Sequence, residues 1–182
     1  ISGLLTPTQG HIEVRGQDDV GRVGIVFQNP ENQLVGLTVE EDIAFGPGNL
    51  GLPTHEIVRR VDEAVAVCGL SDMRDRPLST LSGGEKQRVA IAGALAMHPT
   101  CLILDEATAM LDQPSQDELN AALKRVKDDL GIAILRITHS LNEALYADRV
   151  LVLADGVIAA AGKPWDVLWD TEQLGHWHLA VP

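Results

Sequence analysis

Two short segments of this sequence combine residue types suited to phosphate chemistry. Leu81-Ser82-Gly83-Gly84-Glu85 sets a hydroxyl, two glycines and a carboxylate ahead of a helical pattern. Ser82 with Glu85 three residues on predicts a capping box. Gly83 and Gly84 let backbone approach a ligand without Cβ clashes. A helix N-terminus offers free N–H groups and a partial positive charge, which favour an anion such as phosphate. Ser-Gly-Gly-Glu alone fits an ordinary capped helix equally well; the run Lys86-Gln87-Arg88-Val89-Ala90-Ile91-Ala92 weighs against that plain reading. In the second segment, Leu102-Ile103-Leu104-Asp105-Glu106, two carboxylates stand at the C-terminal end of an apolar strand pattern. Open α/β sheets place their ligands there. Asp105 suits Mg²⁺, usually through water, because hard cations prefer oxygen ligands. Glu106 suits a general base that polarises an attacking water. A strand followed by a polar turn is the plainer alternative.

Two single residues join these segments. Gln28 follows a strand pattern over Arg22–Phe27, where its amide oxygen can meet Mg²⁺ or position water, although a lone Gln after a strand is usually a surface residue. His139 follows another strand pattern, Ile132–Thr138, and precedes a second capping-box pattern from Ser140 to Glu143. It is placed to contact a γ-phosphate, although a lone His there is more often structural. The other five histidines form no metal-ligand pattern.

The elements that must position these residues are legible as short apolar runs alternating with helical patterns, which predicts a mostly parallel sheet with crossover helices. Strands are expected at Ile12–Val14, Arg22–Phe27, Cys101–Leu104 and Ile132–Thr138. His55–Val67 reads as an amphipathic helix, with Ile57, Val58, Val61, Ala64 and Val65 on one face. Glu85–Met97 is a largely apolar, hence buried, helix. Gln116–Leu130 repeats Leu119, Ala122, Leu123, Val126 and Leu130 at helical spacing, with Pro114 suited to its first turn. Arg149–Leu153 and Val157–Ala160 flank Asp155-Gly156, a hairpin signal. Residues 38–81 look mostly helical and are expected to form a subdomain. Trp165, Trp169 and Trp177 are expected to be packing anchors.

Bulk properties narrow the function class. With 182 residues the chain is long enough for one globular domain with its own core. A formal net charge of -12 and a pI near 4.7 argue against a general nucleic-acid binder. Cys68 and Cys101 lie far apart without a CxxC pairing, as expected for two reduced thiols. The longest apolar stretch, Val89–Leu104, is interrupted by Gly93, His98, Pro99 and Thr100, whereas a spanning helix needs roughly 20 mostly apolar residues. No signal-peptide pattern is evident.

The order and spacing of these pieces resemble an ATP-binding-cassette (ABC) ATPase from end to end. Gln28 matches the family's Q-loop, Leu81–Glu85 its signature and Leu102–Glu106 its Walker B strand. Ala109-Met110-Leu111-Asp112 matches the D-loop, and His139 the switch histidine. A narrower resemblance lies in Phe27-Gln28-Asn29-Pro30-Glu31-Asn32-Gln33-Leu34 and in Thr38-Val39-Glu40-Glu41-Asp42-Ile43-Ala44-Phe45-Gly46-Pro47. With Ala107–Asp112, these look like the A components of energy-coupling factor (ECF) transporters and the cobalt and nickel importer ATPases.

The resemblance implies an α/β, P-loop NTPase-like ABC core over residues 1–182, with a helical subdomain at about 38–81. It implies ATP and Mg²⁺ as ligands and a second ABC ATPase subunit, the same or different, as partner. It further implies a transmembrane T component docking near the Q-loop, a separate substrate-binding S component, and a location on the cytoplasmic face of the cell membrane. By position, Glu106, His139 and Gln28 are the catalytic candidates. Ser82, Gly83, Gly84, Glu85 and Asp112 would contact nucleotide, and Asp105 and Gln28 the metal.

The sequence departs from the family pattern at three places. No G-x-x-x-x-G-K-[ST] loop is present, and Gly162-Lys163-Pro164 lacks the earlier glycine and the Ser/Thr. Ile1–Leu5 resembles the end of the helix after that loop, Gln17–Gly21 is a shorter link than usual, and 174–182 looks clipped. The expectation is a fragment lacking the N-terminal strand and Walker A loop. Two rivals remain: a partner subunit that supplies only the signature motif, and a non-transport ABC ATPase of DNA repair or translation. The latter usually carries coiled coils or tandem cassettes.

Overall fold

The structure is a computed structural model describing residues 6–12, 23–169, 174, 175 and 177. The expected strand at Ile12–Val14, the link Gln17–Gly21 and the stretch Ile1–Leu5 lie wholly or mostly outside the described residues. The chain forms two compact units, divided between Arg136 and Ile137.

The first unit is built on the parallel pair β1 (Val23–Val26) and β2 (Cys101–Asp105), with β3 (Ala133–Ile137) completing the order β1-β2-β3. Leu102, Ile103 and Leu104 are all buried, as expected of a strand covered on both faces. β1 ends one residue sooner than its apolar pattern, because the Phe27 N–H donates to the side chain of Gln33 instead of to a neighbouring strand.

Three helices pack on one another beside the sheet: α1 (Val39–Asn49), α2 (Thr54–Val67) and α3 (Gly83–Ala96). Residues 38–81 hold α1, α2 and the 3₁₀ turns Ser71–Met73 and Leu78–Thr80. α1 contains Gly46, Pro47 and Gly48, all poor helix formers. Packing overrides that propensity. Val39 and Ile43 are fully buried, and Gly46 lies where any Cβ would sit 2.4 Å from the Met97 sulfur. A capping box between Thr38 and Glu41 starts the helix. α3 buries Val89, Ile91 and Ala92 completely, as its apolar pattern predicts. α4 (Gln113–Leu130) begins three residues earlier than its periodicity, because Asp112 caps it and Pro114 is tolerated in the first turn. It ends at Gly131, whose φ of 65° allows the left-handed cap.

The second unit holds α5 (Leu141–Ala144), the antiparallel hairpin β4 (Val150–Ala154) and β5 (Val157–Gly162), and α6 (Pro164–Val167). Asp155 and Gly156 both have positive φ, as the two-residue turn requires. Trp165 and Trp169 are exposed, and their rings meet at 6.4 Å. They are not the packing anchors expected. The short α6 turns Pro164 and Val167 inward and leaves the two tryptophans outside.

Gly36 makes the tightest backbone approach: a Cβ there would lie 2.5 Å from the Asp42 backbone nitrogen. Gly93, inside α3, has nothing within 4 Å of such an atom. In the full-length protein, Gly36→Ala is therefore expected to destabilise by about 1–3 kcal/mol. Gly93→Ala is expected to stabilise by about 0.5–1 kcal/mol. Chemical denaturation of both variants checks the contrast.

Candidate functional site

The parallel register of β1 and β2 brings two of the candidate residues together. Val26 pairs with Leu104, so Gln28 and Glu106 each stand two residues beyond a matched position. Gln28 Nε2 donates to Glu106 Oε2 at 2.9 Å. Glu106 has φ of 48°, a left-handed conformation that costs a non-glycine residue about 1–2 kcal/mol. The strand thus ends at Asp105 and turns sharply, which sets successive carboxylates at different angles. The Ala109 N–H closes the turn on the Glu106 carbonyl at 3.1 Å.

Beyond Gln28 the chain is tied down locally. Asn29 caps the turn Pro30–Asn32, its side chain accepting from the Glu31 N–H at 3.0 Å. Gln33 accepts from the Phe27 N–H at 2.7 Å and donates to the Ile25 carbonyl at 2.9 Å. Asp42 accepts from the N–H groups of Val35 and Gly36. Val35, Leu37 and Phe45 remain exposed along this stretch.

The helix α3 opens as the sequence predicts, although its first turn already includes Gly83 and Gly84. Ser82 Oγ accepts from the Glu85 N–H at 3.3 Å, and Glu85 Oε2 accepts from the Ser82 N–H at 2.7 Å. Glu85 Oε1 accepts from Arg76 at 3.0 Å, while Arg76 also donates to the Thr80 carbonyl at 2.9 Å. Both carboxylate oxygens of Glu85 are thus engaged within the chain. The Ser82 N–H, and after it the Ser82 hydroxyl and Arg76, hold the Glu85 carboxyl below the usual carboxylate range, against the opposing effect of burial. Gly84 lies where a Cβ would stand 3.2 Å from Leu111 Cδ2 and 3.4 Å from the Met110 carbonyl. Asp112 accepts from the Ser115 N–H at 3.1 Å as the cap of α4, and its bonds to Ser115 lower its carboxyl pKa.

His139 belongs to the second unit. It is exposed, directly before Ser140, whose hydroxyl accepts from the Glu143 N–H at 3.4 Å to cap α5. A cavity of about 710 Å³ opens at the opposite ends of the strands, by Arg60, Glu63, His98 and Thr100, and shares no residue with the site. Among the described residues, no three of His, Cys, Asp and Glu cluster as metal ligands.

Sequence reasoning missed Arg76 and Gln87 as parts of this arrangement. Gln87 Nε2 donates to the Phe27 carbonyl at 3.1 Å. The signal for Gln87 was an amide on a helix otherwise apolar enough to be buried. Arg76 carried no local signal.

The ABC transporter family profile matches residues 1–109. The energy-coupling factor transporter ATP-binding protein EcfA1 of Symbiobacterium thermophilum is 47% identical over all of this chain and 67% of its own length. The protein of the same name from Caldanaerobacter subterraneus is 44% identical over all of this chain and 69% of its own length. This chain belongs to the ABC transporter family. The structure of cbiO1 from Clostridium perfringens, described as part of an ABC transporter complex, superposes with a TM-score of 0.76 at 42% identity. That match covers 88% of this chain and 64% of cbiO1. A dimeric ATP-binding cassette in a post-hydrolysis state with ADP and Pi gives a TM-score of 0.70 at 29% identity, over 79% of this chain and 63% of its own. The chain spans about two thirds of the length of these relatives. The fold is the α/β ABC ATPase fold, as the sequence predicted.

The capping box yields a pH-dependent expectation for this ABC chain. The Glu85 carboxyl is held low in the folded state, so its contribution is complete above the ordinary glutamate pKa near ~4.3 and is lost as pH falls through the lower folded value. Glu85→Ala is therefore expected to cost about 1 kcal/mol at neutral pH. The gap to wild type should close in acid below that range. Urea denaturation of both proteins along a pH series checks it.

Proposed function

We propose that the full-length protein is an ATP-binding and ATP-hydrolysing subunit that powers an ECF-type importer in the cell membrane. The observation that carries the reading is the 2.9 Å bond between Gln28 and Glu106, just beyond the matching ends of two adjacent parallel strands that finish at Val26 and Asp105. The bond sets a carboxylate and an amide side by side, where the two together would bind a water.

In this reading Glu106 takes the proton of the attacking water as general base, and Gln28 orients that water. Asp105 and the Gln28 amide oxygen are the oxygen donors that would hold Mg²⁺. So few protein ligands suit an ion that keeps several waters and binds mainly through one or two carboxylates and substrate phosphates. When bound, the ion would neutralise charge on the phosphates. By its match to the family's switch histidine, His139 would be the residue for the γ-phosphate. Ser82, Gly83 and Gly84, with Glu85 holding the helix start and Asp112 beside them in the dimer interface, face the ATP held by the phosphate loop of a second ABC subunit.

The exposed Val35, Leu37 and Phe45 offer an apolar surface beside Gln28 for a transmembrane T component, and a separate S component binds the cargo, a vitamin or a transition-metal ion. No described helix is long and apolar enough to cross a membrane. In this reading those partners hold the subunit on the cytoplasmic face. The names of the EcfA1 relatives and of cbiO1 support the importer reading.

A second reading starts from Ser82 and Gly83, which lie exposed at the start of α3. The subunit would then offer Ser82–Glu85 to a partner's ATP without hydrolysis of its own. Single-turnover hydrolysis by a mixed dimer, with each site inactivated in turn, separates the two. For the first reading, Glu106→Gln in the full-length protein is expected to lower ATP turnover by roughly 10²–10⁴-fold while leaving ATP binding intact. Unchanged turnover in steady-state assays would overturn the assignment.

A further inference from the structure

Phe27 stands between the end of β1 and Gln28, and glutamine side chains hold both of its backbone polar groups. Its N–H donates to Gln33 Oε1 at 2.7 Å, and its carbonyl accepts from Gln87 Nε2 at 3.1 Å. Gln33 also reaches back to the Ile25 carbonyl, so it serves β1 as a one-residue strand partner. Gln87 comes from much further away in sequence. It lies on α3, one turn beyond Gly83, and is fully buried.

That burial is not explained by packing alone. The Gln87 Oε1 has no hydrogen-bond partner among the described residues. A buried acceptor left unmet is costly, whereas an apolar side chain of the same length fills the space without that cost. The amide is therefore retained for its one bond, the donation to Phe27. A second tie runs alongside: Lys86 Nζ meets Glu31 Oε1 at 2.5 Å, again from the first turn of α3 to the segment after Gln28.

We propose that Gln87 is a positioning residue. Through the Phe27 carbonyl it couples the start of α3 to Gln28, and so fixes the Gln28 amide against Glu106. The Ser82–Gly84 helix start and the Gln28–Glu106 pair then shift together when either engages nucleotide. This rests on the ATPase reading above, but the link itself is a geometric claim with its own readout.

The test uses the full-length protein with Gln87→Met, which keeps side-chain length and removes the amide. Steady-state kinetics with Mg-ATP are expected to show kcat lowered roughly tenfold, with KM for ATP nearly unchanged, as for one lost hydrogen bond that orients but does not bind substrate. In a Gln28→Ala background the same substitution should add no further loss, because the residue it acts through is gone. Hydrogen exchange should quicken in residues 27–33 while the rest of α3 keeps its protection. Should Gln87→Met fail to fold, Gln87→Glu carries the same tests, with its rate relative to wild type expected to rise as acid restores an O–H donor.

Losses that add in the double variant, or exchange that rises uniformly across the protein, would mark Gln87 as merely structural and overturn the proposal. If wild type itself does not hydrolyse ATP, the ATPase reading fails. The exchange pattern then still decides whether Gln87 holds the 27–33 segment.

Discussion

The parallel pairing of β1 with β2 is the constraint on which the site depends. The parallel direction brings both strand ends to one end of the sheet, and the match of Val26 with Leu104 sets Gln28 level with Glu106. A slip of one residue would turn every side chain on β1 to the other face. The register is fixed in turn by burial: Leu102, Ile103 and Leu104 are covered on both sides, and Val26 is fully enclosed. The left-handed turn at Glu106 then aims one carboxylate at Gln28, while Asp105 remains the last strand residue. Strain of that kind persists where the surroundings over-determine it, and here the turn is closed by the Ala109 N–H and the Gln28 amide.

A second layer joins this strand end to the helix start that suits an anion. Arg76 and Gln87 each tie the start of α3 to another segment. Arg76 clamps Glu85 and the Thr80 carbonyl, and its own carbonyl accepts from the Val39 N–H at the start of α1. Gln87 reaches the backbone just before Gln28. The capping box at Ser82, the start of α1 and the segment after β1 are thereby parts of one hydrogen-bonded body inside the first unit. Val35, Leu37 and Phe45 lie exposed on that same body.

Much of this was legible in the sequence because it repeats with the period of its secondary structure. α2, α4 and the β4–β5 hairpin follow from apolar spacing and from Asp155-Gly156. The capping box at Ser82 follows from a residue pair three apart. The fold and the family followed from the order of such segments. What could not be read lies in contacts without period. Gln28 and Glu106 are 78 residues apart, and Gln87 and Phe27 are 60. α1 was hidden in a generally helical stretch because Gly46, Pro47 and Gly48 contradict its local preference, and its packing against α3 outweighs them. The exposure of Trp165 and Trp169 was missed because aromatic size argues for burial, while a four-residue helix has only one inner face to offer.

The central claim is that Gln28 is held on Glu106 by a direct amide–carboxylate hydrogen bond. The most direct measurement is the ¹H–¹⁵N resonance of the Gln28 side-chain amide in selectively labelled full-length protein. It should sit where a charge-assisted bond puts it, and move to a solvent-exposed position in Glu106→Ala but not in Asp112→Ala. A Gln28 resonance that ignores the loss of the Glu106 carboxylate would contradict the account.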